Sequence, residues 1–203
     1  MNTTSHENLA SHLRSGRVYR REELLSFSKA LDRDLNLLTT SGVLEKVGAG
    51  LYYMPQKSLF GLLPPDDQEL VSAFLKDDDF LLFSWNQYNS LGLGLTQLYN
   101  QPIVYNRKRH GLFTLGNKTF DFRISLRGFP KKLTPEFLLV DLINNLNELA
   151  EDVDLVKEHL KKSIAKFDLN KLSNHSKKFG KVGTKKFFSV LLKQHEGSLV
   201  ENE

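Results

Sequence analysis

An α+β fold is what this sequence predicts: an N-terminal winged helix-turn-helix, then a mixed α/β domain with a small antiparallel sheet and C-terminal helices. Three observations carry that expectation. Residues 5–55 run helix, helix, helix, hairpin by apolar spacing and turn signals. Residues 101–127 switch to β-prone segments separated by short turns containing glycine or arginine and histidine. From Thr134 onward the apolar spacing is helical again.

Taken in order, Ser5 to Leu13 reads as a short helix, with Ser5 as N-cap and Leu9, Ala10 and Leu13 on one side. Ser15-Gly16 marks a turn, Val18-Tyr19 an extended piece, and Arg21 to Phe27 a second short helix. Ser28 can cap a third helix, Lys29 to Thr40. In it Leu31, Leu35 and Leu38 recur at i, i+4 and i+7, while Lys29, Arg33, Asn36 and Thr40 fall opposite. Gly42 suits the left-handed position that ends a helix. "VLEKV" and "LYYM" are extended segments joined by the reversal "GAG".

Pro55, Pro64 and Pro65 then predict a linker, giving domain boundaries of 1–57, 58–67 (linker) and 68–203. Asp67 to Leu75 is expected as helix, "FLLFS" as a buried strand, and Asn86 to Leu91 as a short helix stopped by Gly92. "IVYNRK", "GLFTL" and "KTFDFRISL" are three strands, the last two joined at Gly116-Asn117. Thr134-Pro135 opens a helix reaching Leu149 and Asp152 starts another to Phe167. "SNHSKKFGKVG" breaks the pattern, and Thr184 to Gln194 is the last helix.

The 203 residues are 40% hydrophobic and 26% charged, ordinary for a globular protein. No apolar run approaches the roughly 20 residues of a membrane span, and no apolar signal core stands at the N-terminus, so a cytoplasmic protein is expected. The absence of cysteine excludes disulfides, thiolate metal sites and cysteine nucleophiles. The net charge of +4 conceals a blocky distribution. Gln101 to Lys132 carries eight basic residues against one acid, and Lys161 to Gln194 ten against one. Such blocks suit a polyanionic partner, and equally a solvated face.

In a winged helix-turn-helix the third helix enters the major groove of duplex DNA. There Arg33 can fork to guanine and Asn36 to adenine. Lys29 at the helix start, Arg17 and Arg20 beside the second helix, and Lys46 in the wing are placed for phosphates. Asp32, Asp34 and Glu45 oppose that attraction. The basic run Arg107, Lys108 and Arg109 at a strand-to-turn junction is a further candidate for phosphate contact. Lys177, Lys178, Lys181, Lys185 and Lys186 form a denser cluster, suited to a nucleic-acid backbone or to an acidic partner.

The stretch "SGRVYRREELLSF…ALDRDLNLLTTSGVLEKVGAGLYYMP" resembles the N-terminal module of the AbiEi-like antitoxins, the transcriptional regulators of bacterial type IV toxin–antitoxin systems. Their wing ends in a G-x-G-x-Y-x-x-P-like pattern, matched here by Gly48, Gly50, Tyr52 and Pro55. A second stretch, "SWNQYNSLGLGLTQLYNQPIVYNRKRHGLFTLGNKTFDFR", is similar to the same family through Leu93, Gly94, Leu95, Thr96, Gln97, Val104, Tyr105, Gly116, Phe120, Phe122 and Arg123. The resemblance covers roughly residues 11 to 127. It implies an autorepressor that binds an inverted repeat in its own operator, two recognition helices being supplied by a dimer or by two monomers. It also implies an antitoxin that counters a nucleotidyltransferase-like toxin without a tight protein complex. Ala49 stands where the family's wing is often basic.

Catalysis finds no foothold. No two of the six histidines are spaced i, i+4, and none is joined by a carboxylate cluster, so no metal is expected. "DVD" at 152–154 lacks the preceding Gly-Ser turn of a nucleotidyltransferase, and "GLGL" lacks the third glycine of a dinucleotide loop. The expectation is a protein that is not an enzyme and holds no cofactor. The alternatives are a protein-interaction module on the same winged fold, or a solitary regulator without a toxin.

Overall fold

The structure is a computed structural model that describes residues 4–200. It is mixed α/β with small sheets and C-terminal helices. In chain order it runs through α1 (Ser5–Ser11), β1 (Val18–Arg20), a 3₁₀ segment (Arg21–Phe27), α2 (Leu31–Thr40), β2 (Glu45–Gly48) and β3 (Leu51–Tyr53). Next come β4 (Gln56–Ser58), β5 (Gly61–Leu63), α3 (Asp67–Leu75), β6 (Leu81–Phe83), a 3₁₀ segment (Trp85–Leu91) and β7 (Ile103–Asn106). The chain closes with β8 (Gly111–Leu115), β9 (Lys118–Ile124), α4 (Pro135–Asn145), α5 (Val153–Ser163), α6 (Leu169–Phe179) and α7 (Val182–Val200). Glu201 and Glu203 of the acidic tail lie outside the described residues. Among the described residues, no helix is long and apolar enough to cross a membrane.

Two compact units emerge. One takes the chain up to Phe80 together with Lys108–Phe122; the other takes Leu81–Arg107 and the chain from Arg123 onward. These bounds differ from those expected at 57 and 68.

In the first unit, Leu9, Leu13, Leu24, Leu31, Leu35, Leu38 and Leu44 form a leucine core. β1, β3 and β2 lie in that order as an antiparallel sheet. The N-cap of α1 is Thr4 rather than Ser5, because the Thr4 N–H donates to the Glu7 carboxylate (2.8 Å). α2 starts two residues later than expected, since Ser28 Oγ accepts from the Ala30 N–H (3.0 Å) and residues 28–30 form an entry turn. The expected linker is instead partly ordered as a ribbon. Ser58 pairs with Gly61, leaving Leu59-Phe60 as a two-residue turn, and the prolines bracket the strands rather than interrupt them. Asp66 caps α3 by accepting from the Glu69 N–H (3.0 Å).

The β8–β9 hairpin, turning at Gly116-Asn117 as expected, belongs to this first unit as far as Phe122. Its turn reaches β2, where the Gly116 N–H donates to the Val47 carbonyl (2.6 Å). Phe113 and Phe122 pack on Phe74 of α3, with ring centroids 5.0 and 5.1 Å apart. Lys118 meets the Asp67 carboxylate at 2.7 Å.

The second unit is built around α4, which buries every residue from Glu136 to Leu142. β6 pairs antiparallel with β7, Leu81 opposite Tyr105 and Phe83 opposite Ile103. The Tyr88 and Tyr105 hydroxyls both donate to the buried Asp141 carboxylate, at 2.6 and 2.7 Å. Asp152 caps α5 through the N–H groups of Asp154 and Leu155, a structural use of the "DVD" sequence. In "GLGL", Gly94 (φ +75°) leaves room for His159, whose Nδ1 would lie 3.1 Å from an added Cβ. The break expected at Ser173–Gly183 is mostly helix. Asp168 caps α6 by accepting from the Lys171 N–H (2.9 Å), and Leu172, Ser176 and Phe179 are buried at i, i+4 and i+7. The interruption shrinks to Gly180-Lys181, and α7 extends well beyond the expected Thr184–Gln194.

Candidate nucleic-acid interface

α2 presents two distinct faces. Leu31, Leu35 and Leu38 turn into the leucine core, while Arg33, Asn36 and Thr40 lie on the solvent side with Lys29 exposed just ahead of the helix. Arg33 is 69% exposed. The acids that oppose phosphate are partly withdrawn from this face. The Arg21 guanidinium engages Asp32 through two parallel bonds, at 2.7 and 2.8 Å, which holds that carboxyl below its usual range. Asp34 is fully buried. Its Oδ2 accepts from the Ser28 hydroxyl (2.6 Å) and from the Ser5 hydroxyl, and these bonds hold its carboxyl below the usual range. Among the described residues its Oδ1 has no hydrogen-bond partner; Arg33 Nε stands 3.6 Å away as a charge. Asp34 thereby ties α1, the entry turn and α2 together.

The other expected contacts are placed less uniformly. Lys46 is exposed on β2, opposite Tyr52, and Glu45 beside it is exposed too. Arg17 is 63% exposed and pairs through Nε with Glu69 at 2.7 Å. Arg20 is half-buried and bonded to Glu23 (Nε to Oε1, 2.8 Å), which raises its proton affinity further. Its donors are thus turned toward its own chain.

The basic run separates into three different environments. Lys108 donates to the Leu75 carbonyl (3.3 Å) and the Lys76 carbonyl (3.1 Å) and pairs with Asp77 at 2.8 Å. It thereby caps the C-terminal end of α3, where unpaired carbonyls gather. Arg109 lies over the Phe74 ring, 4.6 Å from its centroid, and Arg107 lies 5.8 Å from the centroid of Phe129. Arg107 belongs to the second unit and the other two to the first. Their adjacency in the sequence alone predicts one strip.

Nothing in the sequence marks Ser5, Ser28 and Asp34 as an assembly, or Arg21 as the partner of Asp32. An acidic residue in a first turn ordinarily faces solvent and favours the helix dipole. Only the burial of Asp34 against α1 gives it another role. Among the described residues, no group of three or more metal-ligating side chains comes together.

The arrangement can present a fork, an amide and an ammonium to a polyanion from one helix face.

No family model, curated protein or solved structure matches this chain.

What bears on function is therefore the geometry of α2 and of the β2–β3 hairpin, together with the residue patterns.

Proposed function

We propose that this chain is a sequence-specific, operator-binding autorepressor acting in the cytoplasm. Residues 4–57 serve as a winged helix-turn-helix with α2 as the recognition helix and β2–β3 as the wing. The observation that carries the reading is the outward face of α2. Arg33 and Asn36 stand free of the core on a helix followed by an antiparallel hairpin, in a sheet ordered β1-β3-β2. Arg33 is suited to guanine and Asn36 to adenine, with Lys29 and Lys46 on phosphates. The resemblance to AbiEi-like antitoxins extends the proposal. On it, the protein is the antitoxin of a type IV system and offsets a nucleotidyltransferase-like toxin without a tight complex, with no catalytic step and no cofactor of its own.

A gel shift with the DNA upstream of its own gene, at low and moderate salt, tests the operator reading. Binding to an inverted repeat that weakens steeply with salt is expected. Absence of a shift at low salt overturns it.

The exposure of Leu25 (53%), Leu37 (45%) and Val43 (36%) favours a second reading, a protein-interaction module on the same unit. A negative gel shift together with partner capture sensitive to Leu37→Asp would support it.

A further inference from the structure

The second unit contains a groove that the operator reading does not use. α6 and α7 are joined by the tight connection Gly180-Lys181 and lie side by side. A cavity of about 380 Å³ opens along them. That lies within the roughly 300–1,000 Å³ of small-molecule sites. Lys177 of α6 and Lys185 of α7 line the end near the connection, and Lys193 lines the other end. None of the three makes an ion pair with a described residue. Ser173, Ser189 and Asn170 also line it, and among the described residues no carboxylate does. The nearby Asp168 is engaged by Lys171 at 3.2 Å.

Gly180 helps to build this site. An added Cβ would fall 2.5 Å from the Ser176 carbonyl oxygen and 3.1 Å from Lys185 Cγ. The missing side chain leaves room for the Lys185 stem beside the end of α6.

Unpaired ammonium groups flanked by hydroxyls, with no competing acid, recognise a phosphoryl group as point charges with hydrogen-bond support. Leu169 and Leu192 add apolar wall at the far end. Asn170 and Lys177 are seven residues apart on α6, roughly 10 Å along the axis. A concave site of this size accepts a small molecule, whereas a duplex needs an open surface.

We propose that the α6–α7 groove binds a small phosphorylated molecule, its phosphate held by Lys177 and Lys185 and its organic body lying toward Leu169 and Leu192. The site is independent of α2.

Calorimetric titration of the full chain with AMP, pyrophosphate and inorganic phosphate tests it. AMP is expected to bind saturably and more tightly than inorganic phosphate. Lys177→Ala with Lys185→Ala should weaken AMP about tenfold or more, roughly the loss of one charged hydrogen bond. Lys161→Ala with Lys166→Ala, elsewhere in the same basic block, should leave AMP affinity unchanged. Saturable binding by none of the three probes, or AMP affinity insensitive to the Lys177/Lys185 pair, overturns the proposal. Inorganic phosphate binding as tightly as AMP overturns the organic half of the assignment. If the double variant loses duplex DNA and the parent never binds AMP, the groove is a nucleic-acid contact and the proposal is wrong.

Discussion

Asp34 and Asp141 are both buried carboxylates, yet their surroundings push them in opposite directions. Burial raises Asp141 to about 6, against the bonds from Tyr88 and Tyr105. The folded chain therefore holds this proton to a higher pH than the unfolded chain, whose carboxyl titrates near 3.8. Stability contributed by the protonated form is present below about pH 4 and is lost as pH rises through 6, a change of roughly 3 kcal/mol at most. Urea midpoints measured from pH 4.5 to 7.5 should show that fall, and Asp141→Asn should flatten it. Asp34 behaves the other way. Its lowered carboxyl contributes stability above about 3.8, and that is lost as pH falls further. Tyr88→Phe leaves an Asp141 oxygen without its donor and should cost about 1–3 kcal/mol in urea unfolding. On the proposed DNA face, Arg33→Ala or Asn36→Ala should relax base preference at one position, losing about 1–3 kcal/mol for the preferred sequence. Lys46→Ala should weaken all duplexes alike. If Arg33→Ala leaves affinity and preference intact in a binding assay, α2 is not the reader.

At the scale of elements, Lys108 separates a structural role from a binding one. Its ammonium closes the end of α3, so Lys108→Ala should lower thermal stability by about 0.5–1.5 kcal/mol while operator affinity changes little. A large affinity loss with unchanged melting would restore it as a phosphate contact. Most elements were legible in the sequence: α2 from its leucine spacing, the β8–β9 hairpin from Gly116-Asn117, and α4 from Thr134-Pro135. Others were not. The polar run from Ser173 to Lys178 looks like a helix breaker, but its buried side is only Leu172, Ser176 and Phe179. The β4–β5 ribbon was hidden by prolines that lie just outside it. For the candidate site, outward Arg33 and Asn36 followed from periodicity, whereas exposed Lys29 lies in the entry turn ahead of α2. The engagement of Arg20, Lys108 and Asp32 did not, because their partners lie on other elements or across a turn.

At the scale of the whole molecule, the first unit is discontinuous in sequence. The segment Lys108–Phe122 returns to it after an excursion through the second unit. That segment packs Phe113 and Phe122 on Phe74 and places Gly116 on Val47. A fragment ending at Phe80 lacks those partners. It should melt broadly and bind a hydrophobic dye, and a sharp cooperative transition like that of the full chain would contradict the division. The alternating charge blocks argue at this scale too. If the proposed operator binding is real, log affinity should fall linearly with log salt, with a slope set by the number of phosphates met.

What the sequence determined by itself was local: most of the helical and extended segments, most of the turns, and which side of α2 is polar. Spacing along one segment encodes these, since neighbours in the chain are neighbours on the same face. Only the tertiary structure decided which cations are free and which are occupied, that Asp34 and Asp141 are buried, and that a distant hairpin completes the first unit. Those outcomes depend on contacts between segments far apart in the chain, and burial, not residue type, sets the energy of a charge.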